Sequence, residues 1–207
     1  MRSVLVANAK GGAGKTTLAT NIAAALSVAG DAVTLWDLDR QKSALAWLDI
    51  RSPAAAPVSR VDADADSPPG SRGKGWLVMD SPAALHGKNL SHALRLAQKI
   101  VVPVQPSLYD MAATSDFLQA LLAERPLKRH ESAIGIVGMR VDSRTKAAAT
   151  LEVFLQQFNL PVITYLRDTQ LYANAAFNGS GVFDLPDYLA GREIAQWQPL
   201  LEWLRAG

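Results

Sequence analysis

A glycine-rich stretch near the start of the chain, Ala9–Thr17, constrains the fold more than any other feature. It follows an apolar run typical of a buried strand, Val4–Ala7, and precedes a run with helical apolar spacing, Leu18–Leu26. Its three glycines allow the backbone to turn N–H groups inward around phosphate oxygens, and the following helix adds the positive end of its dipole. In this context we expect Lys15 to reach the terminal phosphates of a nucleotide and the Thr16 hydroxyl to bind Mg2+. The predicted nucleotide-binding residues of the stretch are Gly11, Gly12, Ala13, Gly14, Lys15, Thr16 and Thr17.

Apolar runs recur along the chain and alternate with segments of helical spacing. The later predicted strands are 33–36, 76–80, 100–104, 133–139 and 162–165, with a short strand near 58–61. The later predicted helices are about 89–97, 111–122, 145–158, 170–177 and 192–205, with helical spacing also through Leu45, Trp47 and Leu48. This alternation predicts a doubly wound α/β fold, with a mainly parallel sheet and helices on both faces, in one domain over residues 1–207. Residues 52–75 are rich in Pro, Gly, Ser, Ala and Asp and are predicted to be mostly an exposed loop.

Three acidic residues stand at the ends of predicted strands. Asp37 and Asp39 follow the second strand, and Asp80 ends the strand at 76–80. If the second strand stays extended to Asp39, both of its carboxylates project to the same side. Because parallel strands present their carboxyl ends at one edge of the sheet, we expect these acids beside the glycine loop. Asp37 and Asp80 are candidates for the Mg2+ shell, and Asp39 for the residue beside an attacking water.

Composition excludes several classes of protein. The chain has no cysteine, which rules out disulfides and iron–sulfur clusters held by thiolates. It has no apolar run long enough to span a membrane, and Met1–Ser3 leaves no room for a signal peptide before the first strand, so we expect a cytoplasmic protein. A net charge of +2 is only mildly basic and does not establish nucleic-acid binding.

The glycine loop departs from the common phosphate-loop pattern in two ways. Ala9 stands where the first glycine is usual, and a second lysine, Lys10, precedes Gly11. This variant resembles the phosphate loop of the ParA/MinD superfamily of ATPases, which are P-loop NTPases. The resemblance implies ATP and Mg2+ as cofactors and a homodimer in which Lys10 reaches the partner's nucleotide. Hydrolysis would then weaken the dimer, giving a nucleotide-timed switch.

Later segments are also similar to this family. Residues 37–41 resemble its first switch, in which Asp39 would position water, and residues 80–83 resemble its second switch. Residues 102–110 resemble its fourth-strand segment, which implies that Pro106 contacts the nucleotide. Three residues depart from the pattern: Arg40 and Ala83 replace prolines, and Met139 replaces an asparagine that contacts adenine. The resemblance thus assigns catalytic roles to Lys10, Lys15 and Asp39, and leaves the basis of adenine selectivity open.

Basic residues cluster between positions 125 and 146. They are Arg125, Lys128, Arg129, Arg140, Arg144 and Lys146, against Glu131 and Asp142. The segment 141–146 resembles the part of ParA proteins that contacts DNA, which implies nonspecific, salt-sensitive phosphate contacts by Arg144 and Lys146, with Arg167 on the same face. The alternative is a solvated helix face with ordinary ion pairs.

The resemblance implies a small ParA-type ATPase without an N-terminal DNA-binding domain. Such a protein would position a plasmid, a chromosome region or a protein cluster with a stimulating partner, either ParB-like or a cargo adaptor. One alternative is a MinD-like ATPase that cycles on a membrane or protein scaffold. The apolar spacing of 194–204 could serve that role, but it also fits a last helix docked on the core, which we expect Pro199 to interrupt. A second alternative is a monomeric metabolic enzyme, although His86, His92 and His130 form no recognisable site.

Overall fold

The structure is a computed structural model that describes residues 1–61, 74–83, 85, 87–124 and 134–206. Its strands are β1 (Arg2–Val6), β2 (Val33–Asp37), β3 (Ser59–Arg60), β4 (Trp76–Asp80), β5 (Lys99–Val104), β6 (Ile134–Gly138) and β7 (Val162–Tyr165). Its helices are α1 (Lys15–Val28), α2 (Ser43–Asp49), α3 (Gly87–Leu96), α4 (Leu108–Ala123), α5 (Lys146–Gln156), α6 (Leu171–Ala176) and α7 (Asp187–Arg205), with a 3-10 turn at Val182–Asp184.

The strands form one parallel sheet in the order β3-β2-β4-β1-β5-β6-β7. Three of the six neighbouring pairs, β3-β2, β5-β6 and β6-β7, are consecutive in the chain, and the other three are not. Parallel neighbours cannot be joined by a tight turn, and in the described residues α1 to α5 lie in the crossover connections. The predicted fold class is therefore confirmed, and so is the short strand near 58–61. Of the loop predicted over 52–75, residues 62–73 lie outside the described residues. The assignment of 1–207 to one domain stays a prediction.

Side chains that alternate along each strand build two apolar layers. Val4 and Val6 of β1 pack beneath α1, α2 and α7, whereas Leu5 and Ala7 pack beneath α3, α4 and α5. The same alternation turns Asp80 toward the α1 face, since Trp76 and Val78 of β4 belong to that layer. The pleat of the sheet thus directs this carboxylate toward the N-terminus of α1.

The last helix differs from its prediction. α7 begins at Asp187, earlier than expected, and continues through Pro199 instead of being interrupted there. Proline removes the bond to the carbonyl of Ala195, but both residues are exposed, so water can satisfy that carbonyl. Trp197, Leu200 and Leu204 are buried, which confirms the docked helix among the two alternatives for this segment. Among the helices of the described ranges, none has the length and apolarity needed to cross a membrane.

Candidate functional site

The phosphate loop connects β1 to α1 and is held from the β5–α4 side. Asn8 is fully buried, and its amide donates to the Pro103 carbonyl at 2.7 Å and to the Thr114 hydroxyl at 2.9 Å. Its side-chain oxygen accepts from the Lys10 backbone N–H at 3.0 Å. The Gln105 amide donates to the Gly12 carbonyl at 2.6 Å. These bonds preorganise the loop before any phosphate binds.

Gly14 permits the turn from the loop into α1. Its φ of +99° lies in the left-handed region, and a Cβ there would meet the Met139 methyl group at 2.8 Å. A larger residue would therefore strain the backbone at this φ, and the end of the Met139 side chain would have to shift. Met139 is buried against this glycine, so it supports the loop but has no polar group for a nucleobase.

The two lysines of the loop have different surroundings. Lys15 is buried, and its ammonium donates to the Lys10 carbonyl at 2.9 Å, across the loop. Burial is the main influence on Lys15 and lowers its pKa, while the carboxylates of Asp80 and Asp39 oppose that effect. The Lys10 ammonium instead lies in a solvent-exposed contact, 3.4 Å from the Gly11 carbonyl. Lys15 thus occupies the interior of the loop and Lys10 its rim.

Thr16 and Asp80 meet at the bottom of the site. The Thr16 hydroxyl donates to Asp80 Oδ2 at 2.7 Å, and Asp80 is almost completely buried. Its other oxygen, Oδ1, is buried and has no hydrogen-bond partner among the described residues. Burial, helped by the nearby charges of Asp37 and Asp39, raises the pKa of Asp80 to about 7 against the hydrogen bond from Thr16 and the charge of Lys15. A buried carboxylate oxygen without a partner beside a hydroxyl is a donor set that fits Mg2+.

Asp37 lies next to Asp80 in the sheet but points its oxygens at backbone groups. Its Oδ1 accepts from the Asp39 N–H at 2.9 Å, and its Oδ2 accepts from the N–H groups of Ala44 at 2.8 Å and Leu45 at 3.2 Å. Asp37 therefore satisfies the first turn of α2, which lacks a side-chain cap of its own. Its predicted place in the Mg2+ shell stays a prediction.

The second strand does not stay extended to Asp39, so the condition under which Asp37 and Asp39 would project to the same side is not met. β2 ends at Asp37, and the chain turns there because Asp37 accepts the N–H of Asp39. Asp39 accepts in turn from the Gln41 N–H at 3.0 Å, and it lies close enough to Lys15 for its charge to oppose the lowering of the Lys15 pKa by burial. Asp39 thus lies near the phosphate loop, but on a turn and not on an extended strand.

A basic groove of about 800 Å3 lies beyond the end of β7, and four arginines line it together with Pro106. The four arginines are Arg140, Arg144, Arg167 and Arg192. The structure thus brings Arg144 and Arg167 to one groove, as expected, and leaves Lys146 exposed at the start of α5. It places Pro106 on the wall of this groove, whereas the adjacent Gln105 contacts the phosphate loop.

Acidic side chains neutralise much of the groove. Arg144 holds Asp142 with two hydrogen bonds, of 3.0 and 2.9 Å, which lower the pKa of Asp142 to about 2. Arg167 pairs with the buried Glu193, and Arg140 lies 3.8 Å from Asp168. The predicted cluster members Arg125, Lys128, Arg129 and Glu131 lie outside the described residues, as do His86 and His130. His92 is on α3, 3.4 Å from Arg95.

Sequence reasoning missed three residues of this region. Asn8 follows the first apolar run directly, and a polar residue at that position is a usable signal of a buried amide. Gln105 lies within the segment 102–110, but no local pattern indicates its bond to Gly12. Arg192 joins the groove from α7, and nothing in its surrounding sequence predicts this.

The comparison with known families gives one match over most of the chain. Residues 4–182 match the family described as the CobQ/CobB/MinD/ParA nucleotide binding domain. The match includes the phosphate loop, Asp37, Asp39 and Asp80. It agrees with the geometry, since these residues converge at the carboxyl edge of the sheet.

Curated relatives and solved structures agree with this family. The carboxysome distribution protein McdA of Halothiobacillus neapolitanus is 29% identical over 190 residues, covering 88% of this chain and 87% of the relative. The chromosome-partitioning ATPase Soj of Thermus thermophilus is 30% identical, covering 75% and 76%. The structure of apo McdA from Cyanothece is similar in fold, with a TM-score of 0.78, 17% identity and 99% coverage of both chains. The chain therefore belongs to the CobQ/CobB/MinD/ParA nucleotide-binding family of ATPases, with ATP and Mg2+ as its cofactors.

Proposed function

We propose that this protein is a nucleotide-timed positioning ATPase. It binds MgATP, forms a homodimer, binds nonspecific DNA as the dimer and releases it after slow hydrolysis that a partner protein stimulates. Its cargo is a plasmid, a chromosome region or a protein cluster. Its relatives named for carboxysome distribution and chromosome partitioning support this class of task. The proposed location is the cytoplasm, on the nucleoid.

The observation that carries the proposal is the contrast between Lys10 and Lys15. Lys15 is buried and occupies the interior of its own loop, where it would bind the terminal phosphates. The ammonium of Lys10 lies at the rim in a solvent-exposed contact. From there it is available to a nucleotide held by a second copy, where its charge would stabilise the transferred phosphoryl group as an arginine finger does.

The remaining polar groups of the site divide the work. Thr16 and Asp80 would hold Mg2+, with Asp37 next to them, and the metal ion would neutralise charge on the phosphates. Asp39 would orient the attacking water, because its turn lies beside Lys15. The backbone N–H groups of the loop, from Gly11 to Thr17, would bind phosphate oxygens.

DNA binding would use the basic groove and Lys146. Arg144 and Lys146 are exposed, and Arg167 lines the same groove. Contacts from such residues to phosphates carry no base sequence information. Their affinity falls as the salt concentration rises, because binding releases counterions from the DNA. Dimerisation would place two grooves on one particle and so increase the affinity for a long duplex.

A second candidate is a dimer that cycles on a protein scaffold instead of DNA. The ion pairs of Arg144 with Asp142 and of Arg167 with Glu193 favour it, because they reduce the positive charge that DNA would meet. Both candidates share the nucleotide site and the dimer, and DNA binding distinguishes them.

The experiment that tests the proposal compares wild type with Lys10→Ala, in ADP and in a slowly hydrolysed ATP analogue. Light scattering gives the mass, and a fluorescent duplex reports DNA binding at low and moderate salt. We expect wild type to dimerise and bind DNA only with the analogue, and Lys10→Ala to bind nucleotide but stay monomeric. Lys74→Ala is the control, because Lys74 is an exposed lysine just before β4, at the amino ends of the strands and away from the nucleotide site. A wild type that stays monomeric would contradict the proposal, and a dimer without DNA binding would favour the protein scaffold.

A further inference from the structure

Two large apolar side chains are exposed to solvent at the start of α4. Leu108 is 71% exposed and Tyr109 is 78% exposed, although they are adjacent and occupy the first helical turn. Ser107 caps this turn by accepting the Asp110 N–H, so the backbone that carries them is well defined. Adjacent exposed apolar residues on a rigid turn are typical of a contact surface.

The first turn of α4 is coupled to the phosphate loop. β5 and α4 are joined by the short segment 105–107, and Gln105 within it donates to the Gly12 carbonyl. Further along α4, Thr114 accepts from Asn8 at the start of the loop. Leu108 and Tyr109 therefore lie on the same carboxyl edge of the sheet as the nucleotide site, and their position depends on the same bonds that fix the loop.

We infer that Leu108 and Tyr109 form the apolar anchor of the nucleotide-dependent dimer, covered by a second copy of this chain. The inference rests on the proposed function, in which Lys10 serves the nucleotide of the other copy. The exposed ammonium of Lys10 is positive, and the triphosphate that the other copy would carry is negative. This charge complementarity would bring the carboxyl edges of the two sheets together. A two-fold dimer uses the same patch on both copies, so apolar side chains on the carboxyl edge that carries Lys10 would be buried in each copy. Tyrosine is favoured at such positions because it buries a large area and keeps its hydroxyl available.

The test measures dimer affinity for wild type, Leu108→Ser, Tyr109→Ser and Tyr188→Ser with the slowly hydrolysed ATP analogue. Tyr188 is a matched control, because it is 84% exposed but lies on α7, against the opposite face of the sheet. Nucleotide affinity is measured separately at protein concentrations below dimer formation. We expect each α4 variant to weaken the dimer at least about tenfold with nucleotide affinity unchanged, and Tyr188→Ser to behave as wild type.

The absence of cysteine permits a second readout. A fluorophore on Tyr109→Cys should become protected from a soluble quencher only with the ATP analogue, and increasingly so as protein concentration rises. A fluorophore on Tyr188→Cys should stay accessible. Dimer affinities of Leu108→Ser and Tyr109→Ser within twofold of wild type would overturn the inference and leave the proposed function intact. A wild type that stays monomeric would overturn both the inference and the proposed function. Protection that does not depend on protein concentration would show that a second copy does not cover Tyr109.

Discussion

Asp80 shows how the nucleotide site makes the metal-free chain less stable. Its carboxylate is buried with one oxygen unpartnered, and its pKa is raised to about 7 from an ordinary value of 3.8. Between these two values the folded chain binds more protons at this residue than the unfolded chain does. The contribution of Asp80 to the free energy of unfolding therefore falls as pH rises from about 4 to 7.

We predict that Asp80→Asn stabilises the protein at pH 8, in EDTA and without nucleotide, by about 1–3 kcal/mol. The variant removes the desolvated charge but keeps an acceptor for the Thr16 hydroxyl. Urea unfolding at pH 8 and pH 5 measures the effect, which should shrink at pH 5, where the wild-type carboxyl is protonated. Equal effects at both pH values would show that charge is not the cause. The same variant should lose Mg2+-dependent ATP binding.

Lys15→Ala is predicted to reduce ATP affinity at least about 100-fold, because it removes the charged donor from the interior of the loop. Calorimetric titration with ATP and Mg2+ measures the loss, and circular dichroism checks that the fold remains. Retained ATP affinity would contradict the assignment of this lysine.

Asp39→Ala is predicted to bind ATP normally and to slow hydrolysis about 100-fold, which is the usual effect of losing a group that orients water. ATP should then hold the dimer together, and light scattering in ATP should show a long-lived dimer that wild type loses with time. Normal turnover would remove Asp39 from the mechanism. Gln41→Ala, two residues further along the same turn, controls for a general disturbance of the loop.

At the scale of elements, the short helix α2 is held at its start by Asp37 and just past its end by Arg51. Asp37 accepts N–H groups at its start. Just past its end, Arg51 pairs with Asp184 at 2.8 Å, donates to the carbonyls of Ala56 and Gly179, and stacks on Trp47. Arg51 thus connects the helix after the first switch to the 3-10 turn that packs on α1.

We predict that Asp184→Ala destabilises the protein by about 3–5 kcal/mol, because it leaves the guanidinium of Arg51 buried without its carboxylate. The side chains of Arg51 and Asp184 are only 4% and 9% exposed, so solvent screens the pair little. Urea unfolding without nucleotide measures the change. Asp49→Ala breaks the exposed pair with Arg60 and should cost less than about 1 kcal/mol. Similar losses for both variants would contradict the argument from burial.

At the scale of the whole molecule, the order of strands in the sheet separates the nucleotide site from the basic groove. The phosphate loop follows β1 at the centre of the sheet, while the groove lies at the end of edge strand β7. ATP would then control DNA binding through dimerisation and not through a shared pocket.

This arrangement predicts that Arg144→Ala weakens DNA binding without changing ATP affinity. The slope of log affinity against log salt should fall by about one for each bound copy. Fluorescence anisotropy with a labelled duplex and the ATP analogue measures the slope, and Arg95→Ala, an exposed arginine on α3, is the control. An unchanged slope would exclude Arg144 from the DNA contact.

The sequence by itself determined the α/β class, most of the strands and helices, and the phosphate loop. These depend on local rules: apolar runs, helical spacing, and glycines that only certain turns require. It also indicated Asp80 and Asp39 as candidates, because acids at the ends of buried strands must meet at one edge of a parallel sheet.

The tertiary structure decided what depends on groups far apart in the chain. Asn8 bonds Thr114, Gln105 bonds Gly12, and Glu193 neutralises Arg167, and no local pattern specifies such pairs. The turn after Asp37 and the passage of α7 through Pro199 also departed from local expectation. In the first case a buried carboxylate found backbone donors, and in the second the buried face of the helix outweighed one lost hydrogen bond. Local backbone preferences are encoded in neighbouring residues, whereas the partners of buried polar groups are chosen only when the layers pack.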